Sequence, residues 1–174
     1  MKIDAYKAAH FNRGDAYSFQ GKFDQAIRDY GDAIQLQPKS AAVYLSRAYA
    51  YVYTARYSLA VRDYEFAIDL LPLDDVAYND LAWLLATAPS PAVRDGARAV
   101  TLAQRAVQLN NTASNVDTLA SAYARDGQFE DAALAQESAI ALLLAEGGAL
   151  YLLDGYQVRL RMFHARQPYD ESMQ

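Results

Sequence analysis

The sequence predicts an all-α solenoid of four stacked helix pairs closed by a capping helix. Three observations carry that prediction: a repeat at 34 residues, apolar residues recurring at steps of three and four, and no strand-like alternation. Displaced by 34, Arg13 falls on Arg47, Tyr17 on Tyr51, Phe23 on Tyr57 and Ala26 on Ala60. Arg28-Asp29-Tyr30 recurs as Arg62-Asp63-Tyr64, and Ala33, Ile34, Leu36 and Pro38 recur as Ala67, Ile68, Leu70 and Pro72. A period of this length marks supersecondary units, none of which buries its apolar face alone.

The first unit, about 5–38, reads as a helix from Ala5 to Phe19, a turn at Gln20-Gly21-Lys22, and a helix from Phe23 to Leu36 closed by Pro38. The second, 39–72, repeats that plan, with Ser40 standing where an N-cap belongs and Pro72 closing it. The third, 73–111, opens at Asp74-Asp75 and carries five extra residues between Ala82 and Ala99, since Ala60, Ala67 and Leu70 reappear late as Ala99, Ala106 and Leu109. Ala88-Pro89-Ser90-Pro91 is the breaker there, and Asp95 is placed to cap the helix that follows. The fourth, 112–145, turns at Asp126-Gly127. A ninth helical segment is expected from Ala149 to Ala165, with Leu153, Tyr156, Leu160 and Phe163 on one face, followed by a short tail at 167–174. All of this is read as one domain, 1–174.

These positions resemble the tetratricopeptide repeat pattern, W-x₂-L-G-x₂-Y followed by A-x₃-F and a closing proline. The first unit places His10, Arg13, Gly14 and Tyr17 in those slots, then Ala26, Tyr30, Ala33 and Pro38. The second reads Tyr44, Arg47, Ala48, Tyr51, Ala60, Tyr64, Ala67 and Pro72. The third gives Tyr78, Leu81, Ala82, Leu85, Ala99, Ala103 and Ala106, and the fourth Val116, Leu119, Ala120, Tyr123, Ala132, Gln136 and Ala139. The resemblance implies a right-handed superhelical solenoid that acts as a non-catalytic scaffold, holding a peptide or helical segment of another protein against the first helix of each unit. The alternative, from another functional class, is a self-assembly module that pairs copies of the chain.

Composition narrows the field. With 53% apolar and 21% charged residues in 174, the chain has the material for a sizeable core. Twenty-one acids against sixteen Lys and Arg leave a net charge of −5, which disfavours a nucleic-acid phosphate track. The absence of cysteine removes disulfides, thiolate metal sites and thiol nucleophiles together. No leader pattern opens the sequence and no apolar run is long enough to span a bilayer, so the cytoplasm is expected, with the periplasm open if an export signal has been removed. No phosphate loop, nucleophile elbow or Ca²⁺ loop is present, and neither His10 nor His164 has a second ligand at metal spacing in the sequence. No catalytic residue, metal or cofactor is therefore expected. Asp29, Asp63 and Asp69 read as surface charges beside Arg28, Arg62 and Arg56.

The candidate receptor face follows from the first helices once their packing positions are set aside. It comprises Phe11, Asp15 and Phe19 in the first unit, Leu45, Tyr49, Val52 and Tyr53 in the second, Asn79 and Trp83 in the third, and Asp117 and Ser121 in the fourth. From Ala41 to Tyr53 the helix is apolar or aromatic nearly all round, which asks for cover from a ligand, from neighbouring helices or from the chain's own ends. The residues expected to meet a partner are Phe11, Asp15, Leu45, Tyr49, Tyr53, Asn79, Trp83 and Asp117. Similar arrays that grip the carboxylate of chaperone tails use Lys, Arg and Asn on these positions; Phe11, Asp15 and Asp80 assemble no such clamp here. A neutral or basic segment with apolar anchors is the expected partner.

Overall fold

A computed structural model of the chain describes residues 2–145, 147 and 150–171, with side chains described from residue 9 onward except at 150. Every regular element among these residues is helical. In chain order they are α1 (Lys2–Phe19), α2 (Phe23–Leu36), α3 (Ala41–Tyr53), α4 (Tyr57–Leu70), α5 (Asp75–Thr87), α6 (Gly96–Leu109), α7 (Ala113–Arg125), α8 (Phe129–Ala145) and α9 (Leu153–His164). A single 3₁₀ turn, Leu150–Leu152, precedes α9, so that helix starts later than periodicity alone suggests; Ala149 lies outside the described residues. The chain divides into two compact units, Met1–Leu73 and Asp74–Gln174, and the division falls between the second and third repeats.

In the first unit α1 packs on α2, α3 on α4, and α2 on α3. Small residues make these approaches possible. Ala26, Ala48, Ala60 and Ala67 have no accessible surface, and a Cβ added to Gly14 would lie 2.6 Å from the Tyr30 ring. Tyr30, Tyr44 and Tyr64 are buried as core aromatics, while Tyr17 and Tyr51 are half-buried.

Each first helix of this unit ends in the same reversal. Lys22 N–H donates to the Tyr17 carbonyl and Gly21 N–H to that of Ser18; Arg56 and Ala55 repeat the pattern onto Tyr51 and Val52. The pivot residue takes left-handed angles, with φ of 71° at Gly21 and 56° at Ala55. A β-carbon is disfavoured in that region, so Ala55 holds a position better suited to glycine.

In the second unit α5 packs on α6, α7 on α8, α6 on α7, and α8 on α9. Ala99, Ala106, Ala132 and Ala139 have no accessible surface, which places the five-residue insertion where the late repeat markers put it. Arg94 closes the inserted turn, donating from Nε to the Ala88 carbonyl at 2.6 Å and from Nη2 to that of Pro89 at 3.0 Å. Asp95 caps α6 by accepting from the Arg98 N–H at 3.0 Å, and Asp74 and Thr112 cap α5 and α7 in the same way. Ser40 stands at the α3 N-cap but its side chain makes no capping bond. The turn after α7 pivots on Gly127 at φ 83°. On α9, Tyr156 and Phe163 are buried and Leu153 and Leu160 half-buried, so its apolar face covers the last repeat.

Two of the expected surface acids are not at the surface. Asp29 and Asp63 are each about 4% exposed and clasped by arginines from the preceding helix. Arg13 donates to Asp29 from Nε at 2.7 Å and Nη2 at 2.6 Å; Arg47 does the same to Asp63 at 2.7 and 2.8 Å. A wheel of one helix shows Asp29 only its neighbour Arg28, whereas the partner comes from across the repeat. The Arg13 hydrogen bonds hold the Asp29 carboxyl below the usual carboxylate range.

Candidate functional site

Repeat register defines three rows of positions on the first helices. The first row is Phe11 and Leu45 in one unit, Asn79 and Asp117 in the other. The second is Asp15 and Tyr49, then Trp83 and Ser121. The third is Phe19 and Tyr53, then Thr87 and Arg125. The rows fare differently in the two units.

In the first unit the face is open. Phe19 is 95% exposed, Tyr53 58% and Tyr49 47%. Asp15, Ser18, Phe19, Tyr30, Leu45, Ser46 and Tyr49 line a cleft of about 420 Å³. Three of the expected contact residues, Asp15, Leu45 and Tyr49, therefore share one cavity. Tyr30 forms part of its wall and donates its hydroxyl to Asp15 at 2.7 Å; burial, followed by that bond, pushes the phenol upward. Beside the cleft, Phe23 stacks on Tyr53 at 4.6 Å and Tyr53 meets Tyr49 at 4.7 Å, so these exposed rings are held in place. Phe11 is half-buried and turned onto the Tyr30 ring at 6.0 Å.

In the second unit the face is covered by the chain itself. Asp117, at 5% exposed, accepts from Arg159 of α9 through two bonds of 2.9 Å and from Gln136 at 2.6 Å. Burial pushes that carboxyl upward against the pull of Arg159 and Gln136. The Arg159 guanidinium lies over Trp83, Tyr156 and Tyr169 at 5.0 to 5.5 Å. Trp83 donates its indole N–H to Glu171 at 2.8 Å, and Arg125 donates to the Tyr169 carbonyl at 2.7 Å. Asn79 is half-buried and donates weakly to Asp80 at 3.5 Å. Desolvation, with no arginine to offset it, pushes the Asp80 carboxyl up to about 6.

Arg125, Arg159 and Tyr169 were not expected in the site. Register alone could have found Arg125, which continues the row of Phe19 and Tyr53. Tyr169 is 44 positions from Arg125, and no local pattern announces such a contact.

Among the described residues, one cluster has metal-ligand composition. His10 Nδ1 lies 3.7 Å from Asp29 and 3.6 Å from Asp32, which the fold brings together although sequence spacing does not. Arg13 already occupies both Asp29 oxygens, and a dication there would sit against a guanidinium. The group reads as the Arg13–Asp29 clasp with His10 and Asp32 packed at its end.

Residues 8–40 match the family profile described as tetratricopeptide repeat. That stretch is a tetratricopeptide repeat. Solved structures of this fold resemble the chain over most of its length. The first tetratricopeptide domain of Spaghetti (RPAP3), bound to the HSP90 peptide SRMEEVD, is 22% identical with a TM-score of 0.62, covering 68% of this chain and 90% of that one. A MamA protein is 21% identical at a TM-score of 0.70, covering 92% and 91%. PilF of Pseudomonas aeruginosa is 18% identical at 0.70, covering 95% and 77%. At these identities the likeness is one of fold. No curated protein matches the sequence significantly. Among the described residues no helix of this repeat protein is long and apolar enough to cross a membrane.

Proposed function

We propose that the chain is a non-catalytic protein-interaction scaffold whose main receptor face is the inner surface of the first two repeats. The observation that carries this reading is the cleft of about 420 Å³ edged by exposed, mutually stacked aromatics. Solvent-exposed rings that are already ordered lose little conformational freedom on binding, which is how aromatic residues come to dominate recognition surfaces. The contacts assigned are Phe11, Asp15, Leu45, Tyr49 and Tyr53, with Phe19 added from its exposure. Trp83 belongs to a second face, whose use depends on the segment lying over it; Asn79 and Asp117 share its helices, with Asp117 closed by Arg159 and Gln136.

The partner is a peptide or helical segment of another protein, neutral or basic, with apolar anchors for the cleft. Asp15 is the carboxylate lining the cavity. An exposed pair with a basic partner residue contributes only ~0–1 kcal/mol, so affinity rests on the rings. The Spaghetti domain, bound to a peptide in its solved structure, supports a peptide-holding use of the fold.

The test compares proteins captured by the wild type with those captured by a Phe19→Ala/Tyr49→Ala variant, with circular dichroism verifying the fold of each. A partner held by the wild type and lost by the folded variant supports the assignment. Identical capture by both, or capture by neither, counts against it. Self-assembly through the same face would appear instead as a concentration-dependent mass that the double variant abolishes.

A further inference from the structure

The chain reverses sharply after α9 and returns over α5 and α7. Arg166 takes φ 56°, its N–H donating to the Phe163 carbonyl and that of Gln167 to the Met162 carbonyl. This repeats the reversal at Gly21 and Ala55, and as at Ala55 the pivot is not a glycine. Arg166 is held by Glu130 at 2.6 Å and lies over the Phe129 ring. From there the segment is anchored residue by residue. The Tyr169 ring is buried 5.9 Å from the Trp83 centroid; Asp170 accepts from Arg94 at 3.0 Å; Glu171 accepts from the Trp83 indole at 2.8 Å.

Trp83 and Arg125 beneath the segment stand on the receptor rows, while Arg94 belongs to the inserted turn. Trp83 stands where Asp15 and Tyr49 stand in the first unit, and Arg125 where Phe19 and Tyr53 stand. The charge beneath the segment is positive. Arg125 spends its hydrogen bonds on the Ala86 and Tyr169 carbonyls, and Arg94 meets Asp170. With the segment lifted away, Arg94 and Arg125 would lose the carboxylate and carbonyl laid across them, and the Trp83 indole would lose its acceptor. The face is therefore complementary to an aromatic ring followed by acids, unlike the open face of residues 1–73.

We propose that the α5–α7 face is a second receptor site, selective for an aromatic residue followed by two carboxylates, and that residues 169–171 occupy it in cis until a partner segment of that chemistry displaces them. A short tether sets an effective concentration on the order of 1 mM, so an outside segment binds poorly while the resident one is intact.

The test uses the full chain carrying Asp170→Ala/Glu171→Ala, which leaves the buried Tyr169 in place, and a fluorescent peptide of sequence Arg-Gln-Pro-Tyr-Asp-Glu. Polarisation is expected to show binding to the variant at least ~10-fold tighter than to the wild type. The bound peptide should also shield Trp83, the single tryptophan, from acrylamide quenching. Peptides with Ala for Tyr, or Asn-Gln for Asp-Glu, should lose most of that affinity. Equal binding to both proteins, or no binding to the variant up to ~1 mM, overturns the proposal. Loss of helical circular dichroism in the variant overturns it too, since the segment would then be part of the core.

Discussion

The two compact units are built from the same repeat and finish it in opposite ways. Within each repeat of residues 1–73 an arginine on the first helix clasps a buried aspartate on the second, as Arg13–Asp29 and Arg47–Asp63. The equivalent positions in residues 74–174 are Leu81 with Leu102 and Leu119 with Ala135. On the exposed rows of the first helices the pattern inverts. The first unit presents open aromatics there, whereas the second presents Asp117, Trp83 and Arg125, all engaged with α9 or the segment after it. A repeat fold thus separates what holds a helix pair together from what the rows of its first helix offer, and each can change without the other.

The largest expected effect comes from breaking one clasp. Asp63→Ala leaves Arg47 half-buried and without its carboxylate, and should cost ~2–4 kcal/mol in urea unfolding. Arg47→Leu/Asp63→Leu, which copies the Leu81–Leu102 solution, should recover to within ~1 kcal/mol of the wild type. If the double variant is no better than the single, the two solutions are not interchangeable and the comparison fails at that point.

The acids of the two units should respond oppositely to pH. Asp29 has a folded pKa below its unfolded value of 3.8, so its contribution is present above that value and lost as pH falls through the folded one. Asp80 is raised from 3.8 to about 6, so the folded state binds the extra proton and stability declines as pH rises from 4 through 6. Asp80→Asn should therefore stabilise the protein by ~1–3 kcal/mol at pH 7.5 and by little at pH 4, as urea titrations at both values would show. An equal gain at both would remove titration as its cause.

Smaller effects sharpen the picture at the turns and on the open face. Ala55→Gly relieves a β-carbon from left-handed angles and should stabilise by up to ~1 kcal/mol, the gain being offset in part by a freer unfolded chain. Gly127→Ala, the reverse change at the equivalent turn, should destabilise by ~1 kcal/mol in the same thermal-melt comparison. Phe19→Ala should leave stability within ~0.5 kcal/mol while weakening partner capture, because an almost fully exposed ring contributes little to the core.

Much of this was legible in the sequence because it is local and periodic. The helix Phe23–Leu36, the caps at Asp74 and Asp95, the pivots at Gly21 and Gly127, and the sealed alanines at 26, 60, 99 and 132 each follow from a spacing or a backbone preference. The Arg–Asp clasps were harder to see. Their members are sixteen residues apart on different helices, and only the repeat of both residues at one period hints at a pair. The cover over Trp83 was not legible at all, since Glu171 lies 88 positions away and nothing periodic links the two. Contacts made by an irregular segment carry no signature except the geometry that produces them.

Tyrosine nitration read by mass spectrometry tests the difference between the two faces in a single native sample. Tyr49 and Tyr53 should be modified early, at rates near those of free tyrosine, while Tyr169 stays protected as well as the core residue Tyr30. Tyr169 reacting as fast as Tyr53 would show the second face to be uncovered, and protection of Tyr49 and Tyr53 alike would show the first to be closed; either result contradicts the account.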